Sequence, residues 1–295
     1  MVRNKTMKVC RELLKKAILD GEKVIISPDP AFKTHINYVW FFEDMTNNLK
    51  IQHNFNIKKK ITKVSDLLNK KVNLIKLIVK SLNGEYKLIK SNIEFSEICV
   101  PWIAVKAYYL IFNSLLILEY LIRCNENFFK SGHKAILEKF KNYIENKEIS
   151  FNNEFLNRII PCVDIERWKL PSRYSVKPPR CIDPEIRFKE VIRKLFFYKL
   201  QDFQRDRKID NFKTKKSQEL KQNFVKNSTL NLSEFFYWYR IKSNYRDLEF
   251  LDKDINTLDF FSFYRSYFNT LKNFYTALRE LSNSLAITRV DKKIL

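Results

Sequence analysis

Between Trp102 and Ile122 the chain reads WIAVKAYYLIFNSLLILEYLI, an apolar run into which only Lys106, Asn113 and Glu119 bring strong polarity. At helical spacing Ile103, Ala107, Leu110, Ser114, Ile117 and Leu121 form one stripe. Ala104, Tyr108, Ile111, Leu115, Leu118 and Ile122 form a second stripe beside it. A helix apolar around most of its girth has to be enclosed, by protein or by lipid. Its length matches the roughly 20 residues that cross a bilayer, but two charges and a central amide are expensive there. The run therefore reads as a buried central helix around which the rest of the chain wraps, and no membrane partner is expected.

The sequence around this run favours helices. Only three glycines occur, Gly21, Gly84 and Gly132, each standing alone, so neither a turn-dense β-architecture nor a Gly-rich phosphate loop can be built. After Pro184 neither proline nor glycine occurs again. The fold class expected is mainly α, a helical bundle with a small N-terminal α+β elaboration. Residues 1–94 read as that elaboration and 95–295 as the bundle, with a Pro-rich insertion at 161–184 and a basic one at 204–227.

Taken in order, 5–19 is a short amphipathic helix. KVIIS (23–27), NYVWFFED (37–44) and NLKIQHNFNI (48–57) read as strands, the last two joined through MTNN as a hairpin. A helix follows over 62–82 with Val64, Leu67, Leu68, Val72, Ile75, Ile78 and Val79 on its apolar face, ended by an Asn83-Gly84 turn and a short strand in YKLIKSNIEF. Pro101 is placed to open the central helix. Ser131 reads as the N-cap of a helix over 132–146 whose apolar stripe begins at His133. A short helix is expected near 153–160, and Asp183-Pro184 supplies a cap and first-turn proline for the next long one. The charged tract from Arg205 to Lys226 reads as a projecting helix end or a mobile loop, and Ser233 as the cap of the helix after it. In the final helix, about 259–285, Phe260, Tyr264, Tyr267, Leu271, Phe274, Leu278, Leu281 and Leu285 repeat at alternating spacings of four and three, a core stripe or, as a lesser reading, a self-association seam.

Charge points to a partner. Lys and Arg number 55 against 33 Asp and Glu, a net charge of +22, which favours a polyanion, nucleic acid first. The five cysteines, Cys10, Cys99, Cys124, Cys162 and Cys181, are scattered, as suits reduced thiols in a cytoplasmic protein. Neither they nor the three histidines offer a metal site by spacing, and no cofactor or metal is expected.

HExxH, Walker and GxSxG signatures are missing from the sequence. Of the histidines, His35 is expected to face solvent near a strand start and His53 to be structural on an alternating strand face. His133, at a helix start, is held neutral by the helix dipole and is the best candidate base, against a half-buried structural role. The second polar concentration is Arg240-Ile-Lys-Ser-Asn244-Tyr245-Arg246-Asp247, behind Tyr237, Trp238 and Tyr239, which offer stacking surface. An internal Arg–Asp network is the competing reading there. Arg205, Arg207, Lys208, Lys215, Lys216, Lys242 and Arg246 are the candidate nucleic-acid contacts.

The pieces AVKAYYLIFNSLLILEYL (104–121), SGHKAILEKF (131–140) and YRIKSNYRDLEF (239–250), followed by a long aromatic helix, resemble a HEPN (higher-eukaryote and prokaryote nucleotide-binding) domain. The resemblance spans 95–285 in pieces. It implies a four- or five-helix bundle, often dimeric, in toxin–antitoxin, defence or RNA-processing systems, and a metal-independent endoribonuclease in active members. Those use an Arg, four to six intervening residues and a His, placed across a dimer interface. Here His133 lies farther than that beyond Arg123, Arg240 is followed by no histidine, and Asn244 and Tyr245 stand where one would be. The resemblance implies RNA or polyanion binding, with Arg240, Asn244, Tyr245 and His133 as the catalytic set of a diverged ribonuclease. The alternative is a non-enzymatic interaction module, an antitoxin or scaffold with a cognate protein partner.

Overall fold

The computed structural model describes residues 30–57, 60–61, 65–169, 183–245 and 257–295, with side chains from residue 35 in the first stretch and up to 241 in the fourth. The expected helix at 5–19 and strand at 23–27 lie outside the described residues, as does most of the Pro-rich connection. The described residues form a helical bundle with two small two-stranded sheets.

The first described helix, α1 (Pro30–Thr46), replaces the expected strand NYVWFFED. His35, Tyr38, Val39, Phe42 and Thr46 recur at helical spacing and are buried. Aromatic, β-branched residues favour strands only weakly, and the burial on offer in the bundle overrides that preference. Strand β1 (Ile51–His53) thus loses its expected hairpin partner and pairs antiparallel with β2 (Ile149–Phe151), Ile51 opposite Phe151 and His53 opposite Ile149.

Helix α2 (Asp66–Ser91), N-capped by Ser65, runs straight through the expected Asn83-Gly84 turn and the expected strand after it. Leu82 and Ile89 are buried on either side of Gly84, and Tyr86 stacks on Phe268 with centroids 4.2 Å apart, so packing holds both halves in one helix. Helix α3 (Phe95–Arg123) begins before Pro101, which is accommodated in its opening turns. From Ala107 to Leu121 every residue of α3 except Tyr109 is buried. By length and composition α3 qualifies as a membrane span, but most of that segment is buried inside the bundle.

Beyond α3 come a short 3-10 turn (Glu126–Lys130), then α4 (His133–Glu145), β2, α5 (Glu154–Asn157), β3 (Ile160–Pro161) and α6 (Cys162–Arg167). Asp183 caps α7 (Pro184–Asp206), with Pro184 in its first turn as expected. The tract after it is neither projecting end nor loop throughout: Thr214 caps α8 (Lys215–Lys226), which lies against α6. Then follow β4 (Thr229–Leu230), paired with β3, and a 3-10 turn capped by Asn231 in a capping box rather than by Ser233. Two helices, α9 (Phe235–Tyr245) and α10 (Thr257–Val290), complete the chain. All eight stripe residues of α10 are buried, against α3 and α1, so the stripe is core. The central helix is accordingly wrapped by α2, α4, α9 and α10.

Candidate functional site

Three helices meet at Tyr108. It lies on α3 beside Tyr109, with Phe112 one turn on. The start of α4 brings His133, and α9 brings Tyr237 and, one turn later, Arg240. The Tyr108 hydroxyl and His133 Nδ1 are hydrogen-bonded. The imidazole also lies against Phe112, ring centroids 4.3 Å apart. On the same tyrosine the Arg240 guanidinium carbon stands 4.6 Å from the ring centroid, with Tyr237 at 5.6 Å and Tyr109 at 5.9 Å. Arg240 and His133, far apart in sequence, therefore share one tyrosine.

Arg240 is 8% exposed, its Nε has no hydrogen-bond partner, and among the described residues no carboxylate meets it. Asp247, the acidic member of the competing Arg–Asp reading, lies outside the described residues. A guanidinium buried with aromatic faces but no anion carries a desolvation cost that a bound anion would offset. Burial, then the Arg240 charge, hold the His133 imidazole below its ordinary value, so it is neutral near pH 7. Burial pushes the Tyr108 and Tyr237 hydroxyls up, so both stay protonated. Helix α4 has Gly132 as its N-cap with no side-chain capping bond, and Ser131 instead ends the preceding 3-10 turn. Its first N–H groups thus lie at the site without a side-chain acceptor.

Next to His133, Lys134 contacts Asp202 Oδ2 at 2.8 Å and Asp206 Oδ2 at 2.7 Å, tying the α4 start to the end of α7. Arg205 pairs with the same two aspartates. Arg207, Lys208, Lys215 and Lys216 follow in the α7–α8 connection and first turn of α8, all exposed. The basic tract is therefore anchored to the helix that carries His133. The side chains of Lys242, Asn244 and Tyr245, and Arg246 as a whole, lie outside the described residues.

Other expectations are corrected. His35 is buried and its Nδ1 lies 3.0 Å from the Tyr239 hydroxyl, because α1 is a helix packed inward. Tyr237, Trp238 and Tyr239 are buried and offer no open stacking surface; Trp238 Nε1 donates to Glu234 Oε2 at 3.1 Å. His53, at the end of β1, stacks on Phe55 just beyond the strand. Tyr108, Tyr109, Phe112 and Lys134 carry the site without having been singled out for it; the adjacent Tyr-Tyr pair within the apolar run is the one signal they leave. No cluster of three or more His, Cys, Asp or Glu stands together among the described residues.

Compared with family models, curated proteins and solved structures, the chain matches none.

Proposed function

We propose that the Tyr108 cluster binds a phosphodiester of RNA and that the chain is a diverged, HEPN-like endoribonuclease of a defence or toxin–antitoxin system. The observation that carries this reading is the buried Arg240, unpaired among the described residues and sharing Tyr108 with a neutral histidine. Its charge meets the phosphate, and the charge that grows on the equatorial oxygens in the transition state strengthens that contact. His133, with its hydrogen on Nδ1 donated to the Tyr108 oxygen, keeps a lone pair on Nε2 and takes the proton of the 2′-hydroxyl. That oxygen bonds to the adjacent phosphorus as the bond to O5′ breaks, and the departing oxygen takes up a proton from water, His133 later releasing the one it gained to solvent. The products are a 2′,3′-cyclic phosphate and a 5′-hydroxyl. Exposed Arg207, Lys208, Lys215 and Lys216 lead the strand toward the site.

The test is incubation of the purified chain with total RNA and a labelled single strand, chelator present, beside Arg240→Ala and His133→Ala. Cleavage should fall by about 10²–10³ in Arg240→Ala, as for loss of one transition-state donor. An unchanged rate in Arg240→Ala overturns the assignment.

A second reading rests on Ile98, Trp102 and Leu77, exposed by 59%, 58% and 64% on α3 and α2. Such side chains suit a protein partner, as in an antitoxin or scaffold. Partner binding that barely responds to salt and is lost in Trp102→Asp, with no RNA cleavage, favours that reading.

A further inference from the structure

Away from the Tyr108 cluster, α2 and α10 border an open groove of about 610 Å³. One wall is Lys76, Lys80, Asn83 and Lys87 of α2, repeating at four, three and four residues along about 16 Å of helix. The opposite wall is Tyr275 and Arg279 of α10, one turn apart. Gly84 stands between the lysines, and a Cβ there would meet nothing within 4 Å, so the floor is open. No Asp or Glu lines the groove, though Leu295 brings the last carboxyl group of the sequence to it, and among the described residues none of its four cations is in an ion pair. Exposed cations that meet no carboxylate are common among the described residues; what sets this groove apart is their alignment in one row of a helix, opposite Tyr275 and Arg279.

We propose that this groove binds a single-stranded stretch of nucleic acid, with phosphates on Lys76, Lys80, Lys87 and Arg279 and a base against Tyr275. A nucleic acid supplies one charge per nucleotide at regular spacing, which a row of lysines matches. The guanidinium of Arg279 and the ring of Tyr275 add planar faces that accept any base. Val79 and Leu295 are the only aliphatic lining residues, so an acidic peptide finds no deep pocket for an anchor.

The experiment is fluorescence anisotropy of the full chain with a labelled, unstructured single-stranded RNA between about 50 and 200 mM salt. K76E/K80E/K87E should weaken binding about tenfold or more at the lower salt. Its log–log salt slope should shrink by about 2, at roughly 0.7 for each phosphate left without its lysine. K50E/K130E/K226E, the same charge change on other elements, should retain both affinity and slope. If the first variant melts early, K76Q/K80Q/K87Q gives the same reading of the slope with less perturbation. The proposal is overturned if the groove variant matches the control variant in affinity and slope, or if polyglutamate of equal charge displaces the RNA at equal concentration. Arg240→Lys in parallel reports on the other site: abolished cleavage with an unchanged slope leaves the groove standing.

Discussion

Tyr108 does two separable things. Its ring supports the Arg240 guanidinium and its hydroxyl holds His133 Nδ1. Tyr108→Phe keeps the first and removes the second. In the roles proposed above Tyr108 accepts from Nδ1–H, so without it the imidazole gains access to the tautomer with hydrogen on Nε2, which cannot act as base. Cleavage should fall about tenfold, the scale of one hydrogen bond, and nitrogen chemical shifts of His133 should report the tautomer directly. The charge of Arg240 predicts a pH effect of known sign. Burial and Arg240 both lower the His133 pKa, so the acid limb of the rate profile should lie below pH about 6.5. In Arg240→Gln the Coulombic part is gone and the His133 titration, followed by NMR, should move up toward 6.5; no movement would remove Arg240 from the electrostatics of the site. Arg240 and His133 were legible in the sequence, one set among aromatics and the other at a helix start. Tyr108 was not, because a tyrosine inside an apolar run reads as core, and at 1% exposed it is core as well as site.

Among elements, α10 was legible and α1 was not, for one physical reason. A stripe with spacings of four and three over many turns can be buried only by a helix, whereas Tyr38-Val39-Trp40-Phe41-Phe42 is apolar at every position and carries no period. Neighbours then decide, and α10 offers α1 a surface. The same holds for α2 at Gly84, where a local turn signal yields to packing on both sides. Because Gly84 sits in a helix with open space at its Cβ, Gly84→Ala should stabilise the fold by about 1 kcal/mol in denaturant unfolding. The far end of α3 depends on a distant residue. Its carbonyls at Leu121 and Ile122 accept from Arg289 Nε and Nη2, each at 2.7 Å, while Cys124 turns the chain away in the left-handed conformation. Arg289→Ala should cost about 2–3 kcal/mol, since it leaves buried carbonyls without a charged donor.

For the molecule as a whole, pH and salt act on different groups. His53 and His133 are both held below their ordinary pKa by burial. The unfolded chain therefore takes up protons at these positions that the folded one refuses, so stability is full above pH about 6.5 and declines as pH falls through it. Self-repulsion from a net charge of +22 grows in the same direction but is screened by salt. A melting temperature that drops between pH 7.5 and 5.5 at about 0.5 M salt, and drops less in His53→Asn/His133→Asn, isolates the part these two histidines carry; an identical drop in that variant would assign the effect to other groups, the buried His35 among them.

The bond from Arg289 to Leu121 spans 168 residues, so α10 is made long after α3. At a synthesis rate of roughly 5–20 residues per second, α3, the most apolar of the described helices, waits on the order of ten to thirty seconds before α10 exists to cover it. During that interval the ribosome carries a segment that resembles a membrane span by length and composition, uncovered on the face that α10 will occupy. A nascent chain of this kind is a client for any factor that shields apolar helices.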